Sequence, residues 1–118
     1  MREVLVVDGA NVVGSVPDGW WRDRRGAAER LRDRLVAYGE RTGTEVVLVV
    51  EGAARGVESV PGVRVESAEG SGDDHIVELV AGLDGRACTV VTADRELRGR
   101  VEELGAACVG PRTVYGAG

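Results

Sequence analysis

Residues 4–9 read Val4-Leu5-Val6-Val7-Asp8-Gly9, a short apolar run that ends in an acid and a glycine. An uninterrupted apolar run of this length is typical of a strand that is buried on both faces. Similar runs occupy residues 46–50 and 88–91, and polar residues again follow each of them. The three runs therefore predict the centre of a parallel sheet.

Helical periodicity separates these predicted strands. From about Asp23, apolar residues recur at steps of three and four, which predicts an amphipathic helix that ends at Gly39 and Gly43. A second helix follows the acidic turn at 69–74, and a third follows Asp94. The third helix is expected to bury Leu97, Val101 and Leu104. The remaining segments are predicted as a loop (8–18), a half-exposed edge strand (63–66), a last short strand (106–109) and a tail (111–118).

Alternation of strands and helices predicts an α/β fold, a three-layer single domain with a mostly parallel, Rossmann-like central sheet. The length of 118 residues suits one domain, which we expect to span 1–118 with an ordered core at about 3–110. Right-handed crossovers place every strand-to-helix connection at the carboxyl edge of such a sheet. Ligands bind at this edge, at the point where the strand order reverses.

The composition excludes several chemistries. All fifteen basic residues are arginine, so neither a Walker-type phosphate loop nor a Schiff-base lysine is present. No apolar run approaches the length of a transmembrane helix, and we expect no membrane partner. The two isolated cysteines, Cys88 and Cys108, indicate reduced core residues of a cytoplasmic protein. With one histidine they cannot supply a four-ligand zinc site.

The net charge of −5 argues against a basic nucleic-acid-binding surface, but the arginines are unevenly distributed. Seven lie between residues 20 and 41, where two tryptophans precede them. Bases of a single strand stack on indoles while guanidinium groups bind phosphates. The predicted nucleic-acid-binding residues are Trp20, Trp21, Arg22, Arg24 and Arg25, with Arg95 and Arg98 as further candidates. The equal alternative is that one tryptophan packs below the helix and the arginines pair with Asp18 and Asp23.

Acidic residues follow the predicted strands or open the predicted helices. They are Asp8, Glu51, Asp73, Asp74, Asp94 and Glu96. Because parallel strands bring their carboxyl ends to one edge, we expect these acids to converge on one cleft. Crowded carboxylates repel each other unless a cation lies between them, and oxygen ligands favour Mg²⁺ or Mn²⁺. The structural alternative is that each acid serves only in a turn or as a helix cap.

Three segments resemble the signature segments of the YacP-like NYN domains, which belong to the wider PIN-like group that includes flap endonucleases. They are Val6-Val7-Asp8-Gly9-Ala10-Asn11-Val12, Gly72-Asp73-Asp74-His75-Ile76 and Val91-Thr92-Ala93-Asp94-Arg95-Glu96-Leu97. The resemblance covers about residues 3–110. It implies a PIN-like fold and a metal-dependent nuclease that hydrolyses phosphodiester bonds, most often in single-stranded or structured RNA.

The resemblance also implies roles for single residues. The catalytic and metal-binding acids would be Asp8, Asp73, Asp74 and Asp94, with Glu96 as a further metal ligand. Glu51 stands where relatives often carry Asp, so its longer side chain would reach the metal directly or through water. Thr92 matches a hydroxyl that orients the Asp8 carboxylate, and Asn11 would position Asp8 or the scissile phosphate. The chain has no room for the arch of flap endonucleases, which disfavours cleavage of DNA flaps.

Two alternative functions stay open at this point. A phosphatase of the haloacid-dehalogenase type also places Asp after its first strand, but it needs a second Asp where this chain has Ala10. A non-catalytic RNA-binding or interaction domain would keep the same fold, and the net charge mildly favours it. No Ser-His-Asp or Cys-His arrangement is evident, and His75 is expected to be a solvated first-turn residue. A monomer and a homodimer are both compatible with the sequence.

Overall fold

The structure, a computed structural model, describes residues 2–115. Its elements are β1 (Val4–Asp8), α1 (Gly9–Gly14), α2 (Arg24–Thr42), β2 (Glu45–Val50), β3 (Val63–Ser67), α3 (Gly72–Gly82), β4 (Cys88–Val91), α4 (Arg95–Glu102), β5 (Ala107–Val109) and α5 (Arg112–Tyr115). The strands form one sheet in the order β3-β2-β1-β4-β5, and every neighbouring pair is parallel. The predicted α/β fold is confirmed, with a fully parallel sheet rather than a mostly parallel one.

Helices cover both faces of the sheet and give two hydrophobic cores. Leu5 and Val7 of β1 face α1 and α2, where they pack with Leu31 and Leu35. Val4 and Val6 point to the opposite face, which α3 and α4 cover. Successive side chains of a strand alternate between faces, so a strand buried on both faces must be apolar throughout. This requirement explains the uninterrupted apolar run of β1.

The strand order reverses between β1 and β4. From β1 the chain moves outward through β2 to β3, then crosses back to add β4 and β5 on the other side of β1. The ends of β1 and β4 are therefore neighbours, while helices leave them toward opposite faces of the sheet. Such a switch point leaves a crevice at the carboxyl edge of the sheet.

The segment 8–18, predicted as a loop, contains α1. Asp8 caps this helix, since its side chain accepts a hydrogen bond from the backbone N–H of Asn11. The two-turn helix is too short for sequence periodicity to reveal it. Between α1 and α2 the chain forms a 3₁₀ turn at Trp20–Arg22, and a second such turn covers Gly52–Ala54 after β2.

Three other details differ from the sequence-based expectation. Gly39 does not end α2 but lies inside it, where a Cβ would come within 3.0 Å of Val46 Cγ2, while Gly43 caps the helix at φ 70°. Leu104 lies beyond the end of α4 and is 46% exposed rather than buried. In the expected tail, residues 112–115 form α5 and bury Val114 in the core, while 116–118 lie outside the described residues. Across residues 2–115, every helix is too short or too polar to cross a membrane.

At Gly9, the first residue of α1, the backbone lies close against β2. We therefore expect Gly9→Ala to destabilise the domain. A Cβ at this position would lie 2.5 Å from the carbonyl oxygen of Val49, a backbone atom that cannot move alone. The expected loss in the free energy of unfolding is about 1–3 kcal/mol. The matched control is Gly99→Ala in α4, where a Cβ meets open space and should stabilise by about 0.5–1 kcal/mol. Urea melts of both variants check this, and equal effects would contradict the close approach.

Candidate active site

Asp8 is the one buried acid among residues 2–115, with 3% of the residue exposed. It ends β1 at the switch point, so its carboxylate opens into the crevice beside β4. The hydroxyl of Thr92 donates a hydrogen bond of 2.9 Å to Asp8 Oδ2, and the Asn11 N–H donates one of 3.5 Å to Oδ1. Two donors from different elements therefore fix the orientation of this carboxylate.

Hydrogen bonds also join the connection after β4 to α1. The side-chain carbonyl of Asn11 accepts a bond of 2.9 Å from the backbone N–H of Ala93. Thr92 Oγ1, which donates to Asp8, accepts a bond of 3.1 Å from the Asp94 N–H. The Asn11 side chain thus holds the β4–α4 connection rather than the Asp8 carboxylate. The resulting network sets where Asp94 lies relative to Asp8.

Asp94 caps α4 and faces the same crevice. Its Oδ1 accepts bonds from the backbone N–H groups of Glu96 (2.9 Å) and Leu97 (3.2 Å). These two bonds satisfy backbone N–H groups of the first turn of α4, which have no partner within the helix. The capping role and a role in the site are therefore compatible in one residue.

Asp73 and Glu51 complete the acidic group. Gly72 begins α3, and Glu51 Oε1 lies 2.9 Å from where a Cβ at Gly72 would stand, so the missing side chain makes room for Glu51. Burial raises the pKa of Asp73, and the negative charges of Asp94 and Glu51 raise it further. Asp73 is only partly buried, so solvent weakens these effects.

Burial also raises the pKa of Asp8, from an ordinary 3.8 to about 6. The hydrogen bonds from Thr92 and Asn11 oppose this rise, whereas the charges of Asp73 and Glu51 add to it. The four acids Asp8, Glu51, Asp73 and Asp94 are thus coupled through their charges. We call them the acidic cluster.

Two predicted members lie apart from the acidic cluster. Asp74 turns to α4 and forms an ion pair of 3.0 Å with Arg100, and its side chain is 71% exposed. Glu96 is exposed in the first turn of α4. His75 is not a free solvated residue as expected, because its Nε2 lies 2.6 Å from Glu66 Oε1 and its side chain is only 28% exposed.

The donor set of the acidic cluster suits a hard divalent cation, since every candidate ligand is a carboxylate oxygen. Between Arg2 and Tyr115, however, no three acidic, histidine or cysteine side chains stand close enough to form a ligand set. The side chains would therefore have to move toward a bound ion. A cation at this position would reduce the repulsion among these carboxylates and would lower the pKa of Asp8.

The two tryptophans take different environments. Trp20 packs partly against the core, whereas Trp21 is 54% exposed, and their rings meet edge to face at 6.0 Å. Arg24 lies over Trp20, with its guanidinium carbon 5.3 Å from the ring centre, and Arg22 lies over Trp21 at 5.9 Å. The interpretation in which a tryptophan packs against the domain therefore fits Trp20, and the interpretation in which a tryptophan is exposed for base stacking fits Trp21.

Some arginines of the predicted nucleic-acid surface bind backbone carbonyls, whereas others are exposed. Arg25 donates to the backbone carbonyls of Arg55 (3.0 Å) and Gly56 (3.1 Å), so its guanidinium holds a loop. Arg98 donates to the Thr92 carbonyl at 2.9 Å, while Arg95 is exposed at the start of α4. In the described part of the chain no ion pair joins these arginines to an acid, and Asp23 instead caps α2 through the Gly26 N–H.

Both cysteines are free thiols. Cys88 is buried, which raises the pKa of its thiol to about 11 and keeps it protonated and unreactive. Burial also raises the pKa of Cys108. Neither thiol belongs to the acidic cluster, and the cytoplasmic location that the cysteines indicated stays a prediction.

Sequence reasoning missed two contributors to the site, Ser71 and Arg100. Ser71, rather than Asp73 or Asp74, caps α3, and its hydroxyl accepts a bond from the Asp74 N–H. Arg100 draws Asp74 away and also lowers the pKa of Asp73. Ser71 precedes the acidic pair in a capping position and could have been recognised. The partner of Arg100 depends on how α3 packs against α4, for which the sequence carries no local signal.

A parallel five-stranded sheet with acids at its switch point agrees with the PIN-like class of α/β folds that the sequence resemblance implies. The chain belongs to the family of YacP-like NYN domains, whose family model matches residues 5–117. The sequence-based resemblance is thereby confirmed.

Known relatives and structures agree with this assignment. UPF0178 proteins from three strains of Xanthomonas oryzae pv. oryzae are 38% identical over 95 residues, which is 78% of this chain and 56% of theirs. The chain thus spans just over half the length of these curated relatives. Two crystal structures of Rae1 (YacP) from Bacillus subtilis, one of a point mutant, share the fold. Their TM-scores are 0.82 and 0.81, at 21% and 23% identity, over 97% and 95% of this chain and 73% and 71% of theirs.

The pKa of Asp8 predicts a pH dependence of stability in the absence of metal. Below pH 3.8 the carboxyl is protonated in both states, and between 3.8 and about 6 only the unfolded state ionises, so stability falls as the pH rises. Above pH 6 the buried charge costs up to about 3 kcal/mol. Asp8→Asn should therefore stabilise the protein in EDTA at pH 8 by about 1–3 kcal/mol and have little effect near pH 4.

Urea melts at both pH values measure this difference. The matched control is Asp84→Asn, in the exposed turn between α3 and β4, which should change stability little at either pH. A destabilised Asp8→Asn variant at pH 8 would show that the charge of Asp8 does not lower the stability of the fold.

Proposed function

We propose that this domain is a divalent-metal-dependent nuclease that hydrolyses phosphodiester bonds of single-stranded or structured RNA, with Mg²⁺ or Mn²⁺ as cofactor. The observation that carries the proposal is the acidic cluster at the switch point. A carboxylate buried to 3% exposure, with its pKa raised to about 6 beside other acids, is costly for a fold to keep. Perturbed carboxylates in a crevice are typical of functional sites.

Different residues of the chain would bind the cation and orient its ligands. Asp8, Asp73 and Asp94 would hold the cation, with Glu51 reaching it directly or through water. Thr92 keeps Asp8 oriented, and the α4 cap keeps Asp94 in place. When bound, a divalent cation supplies an activated water and neutralises the charge that develops on the phosphate. A protein nucleophile is then unnecessary.

The RNA would approach over the 3₁₀ turn after α1. Exposed Trp21 offers a ring for base stacking, and Arg22 and Arg24 offer positive charge beside an otherwise acidic edge. Arg25 and Arg98 support the backbone instead, so we assign them no contact with phosphate. Of the two more distant acids, Asp74 would act through its pairing with Arg100, and Glu96 would lie outside the ligand set.

The second candidate is an RNA-binding domain that does not cleave. The observation in its favour is that, within residues 2–115, the acids do not form a closed set of three ligands. A phosphatase of the haloacid-dehalogenase type is disfavoured, because Ala10 occupies the position of its second Asp. A cleavage assay distinguishes the nuclease from the RNA-binding domain that does not cleave.

Asp94→Asn should abolish manganese-dependent cleavage of labelled single-stranded RNA and leave the fold intact. Asn keeps the shape and the cap of α4 but removes the charge that would bind the ion. Removal of one ligand charge should lower the rate by at least about 100-fold. Initial rates measured with purified protein in Mn²⁺ and in EDTA check this.

The matched control is Glu96→Gln, two residues further on and exposed, which should cleave at close to the wild-type rate. Near wild-type cleavage by Asp94→Asn would remove Asp94 from the mechanism. RNA binding by the wild type without cleavage in Mn²⁺ would establish the second candidate instead.

A further inference from the structure

A pocket of about 210 Å³ opens beside the acidic cluster. Gly9 and Glu51, which follow β1 and β2 at the carboxyl edge of the sheet, line it together with Trp20, Arg24 and Ala54. Glu51 belongs to both the pocket and the acidic cluster. The pocket is therefore continuous with the edge at which we place the chemistry.

The size of the pocket limits what it can hold. Pockets for drug-sized ligands usually measure about 300 Å³ or more. A volume of about 210 Å³ suits one small ring system. Most of the lining is glycine, alanine, valine and tryptophan, which favours an apolar, planar group.

Two of the lining residues, Trp20 and Arg24, suit a group that is attached to phosphate. The Trp20 ring forms one wall, and the guanidinium of Arg24 lies over it, 5.3 Å from the ring centre. This contact holds the ring in place and keeps a positive charge at the pocket. An aromatic wall beside an arginine is a combination that binds a base and its phosphate together.

We propose that this pocket binds one nucleobase of the RNA strand, next to the phosphate that is cleaved. The inference rests on the proposed function, and it adds a subsite that would select where along a single strand the cut falls. Bases within a duplex are stacked and paired, so only an unpaired base enters such a pocket. The pocket would thus direct the enzyme to single-stranded positions.

The first test follows the fluorescence of Trp20 in a Trp21→Phe variant, which leaves Trp20 as the one tryptophan of the chain. The probes are AMP, GMP, CMP and UMP, with ribose 5-phosphate as the control that lacks a base, all in EDTA. We expect saturable quenching by at least one nucleotide and none by ribose 5-phosphate. No quenching by any of the four, or equal quenching by ribose 5-phosphate, would overturn the proposal.

The second test fills the pocket. Ala54→Leu places a larger side chain on its wall, and Ala53→Leu places the same side chain one residue earlier, on an exposed position outside the pocket. We expect Ala54→Leu to weaken nucleotide affinity by about tenfold and Ala53→Leu to change it less than about twofold. Equal affinities of the two variants would overturn the proposal, and thermal melts confirm that both are folded.

These tests separate the pocket from the nuclease activity. Nucleotide binding is measured without metal and without cleavage, so it can succeed where the manganese assay fails. Binding without cleavage would leave the pocket intact and defeat the proposed function. Cleavage without nucleotide binding would leave the nuclease intact and defeat the pocket.

Discussion

The hydrogen bond of 2.9 Å from Thr92 Oγ1 to Asp8 Oδ2 ties the ends of β1 and β4 together at the switch point. The remaining features of the site depend on this connection. The same Thr92 hydroxyl accepts from the Asp94 N–H, and Asn11 holds the neighbouring Ala93 N–H. These bonds thereby fix the position of Asp94 relative to the buried Asp8.

The buried charge of Asp8 costs stability, and the proposed function accounts for its presence. Every other fully buried position of β1 is apolar, and the one acid faces Asp73 and Glu51 across the crevice. The close approach at Gly9 and the missing side chain at Gly72 both serve to bring α1, α3 and β2 within reach of it. A fold that needed only stability would place an amide or an apolar residue at position 8.

The sequence predicted the sheet well because its central strands are uniformly apolar and each ends in polar residues. It also predicted the edge at which acids meet, since parallel topology fixes that edge, but only four of the six predicted acids join the acidic cluster, and Asp74 and Glu96 lie apart. It could not predict the helix at Gly9–Gly14, which is too short for periodicity. Nor could it predict that Arg100 pairs with Asp74, or that Trp20 packs while Trp21 is exposed, because these depend on helix packing.

The most direct test of the account measures the titration of the Asp8 carboxyl carbon by NMR, without metal and with saturating Mg²⁺. Comparison with the Asp8→Asn spectrum assigns the signal. Without metal the pKa should lie at about 6. With Mg²⁺ the midpoint should move to lower pH by at least about one pH unit, because a bound cation favours the ionised form. A midpoint that Mg²⁺ leaves unchanged would contradict the claim that the acidic cluster is a cation site.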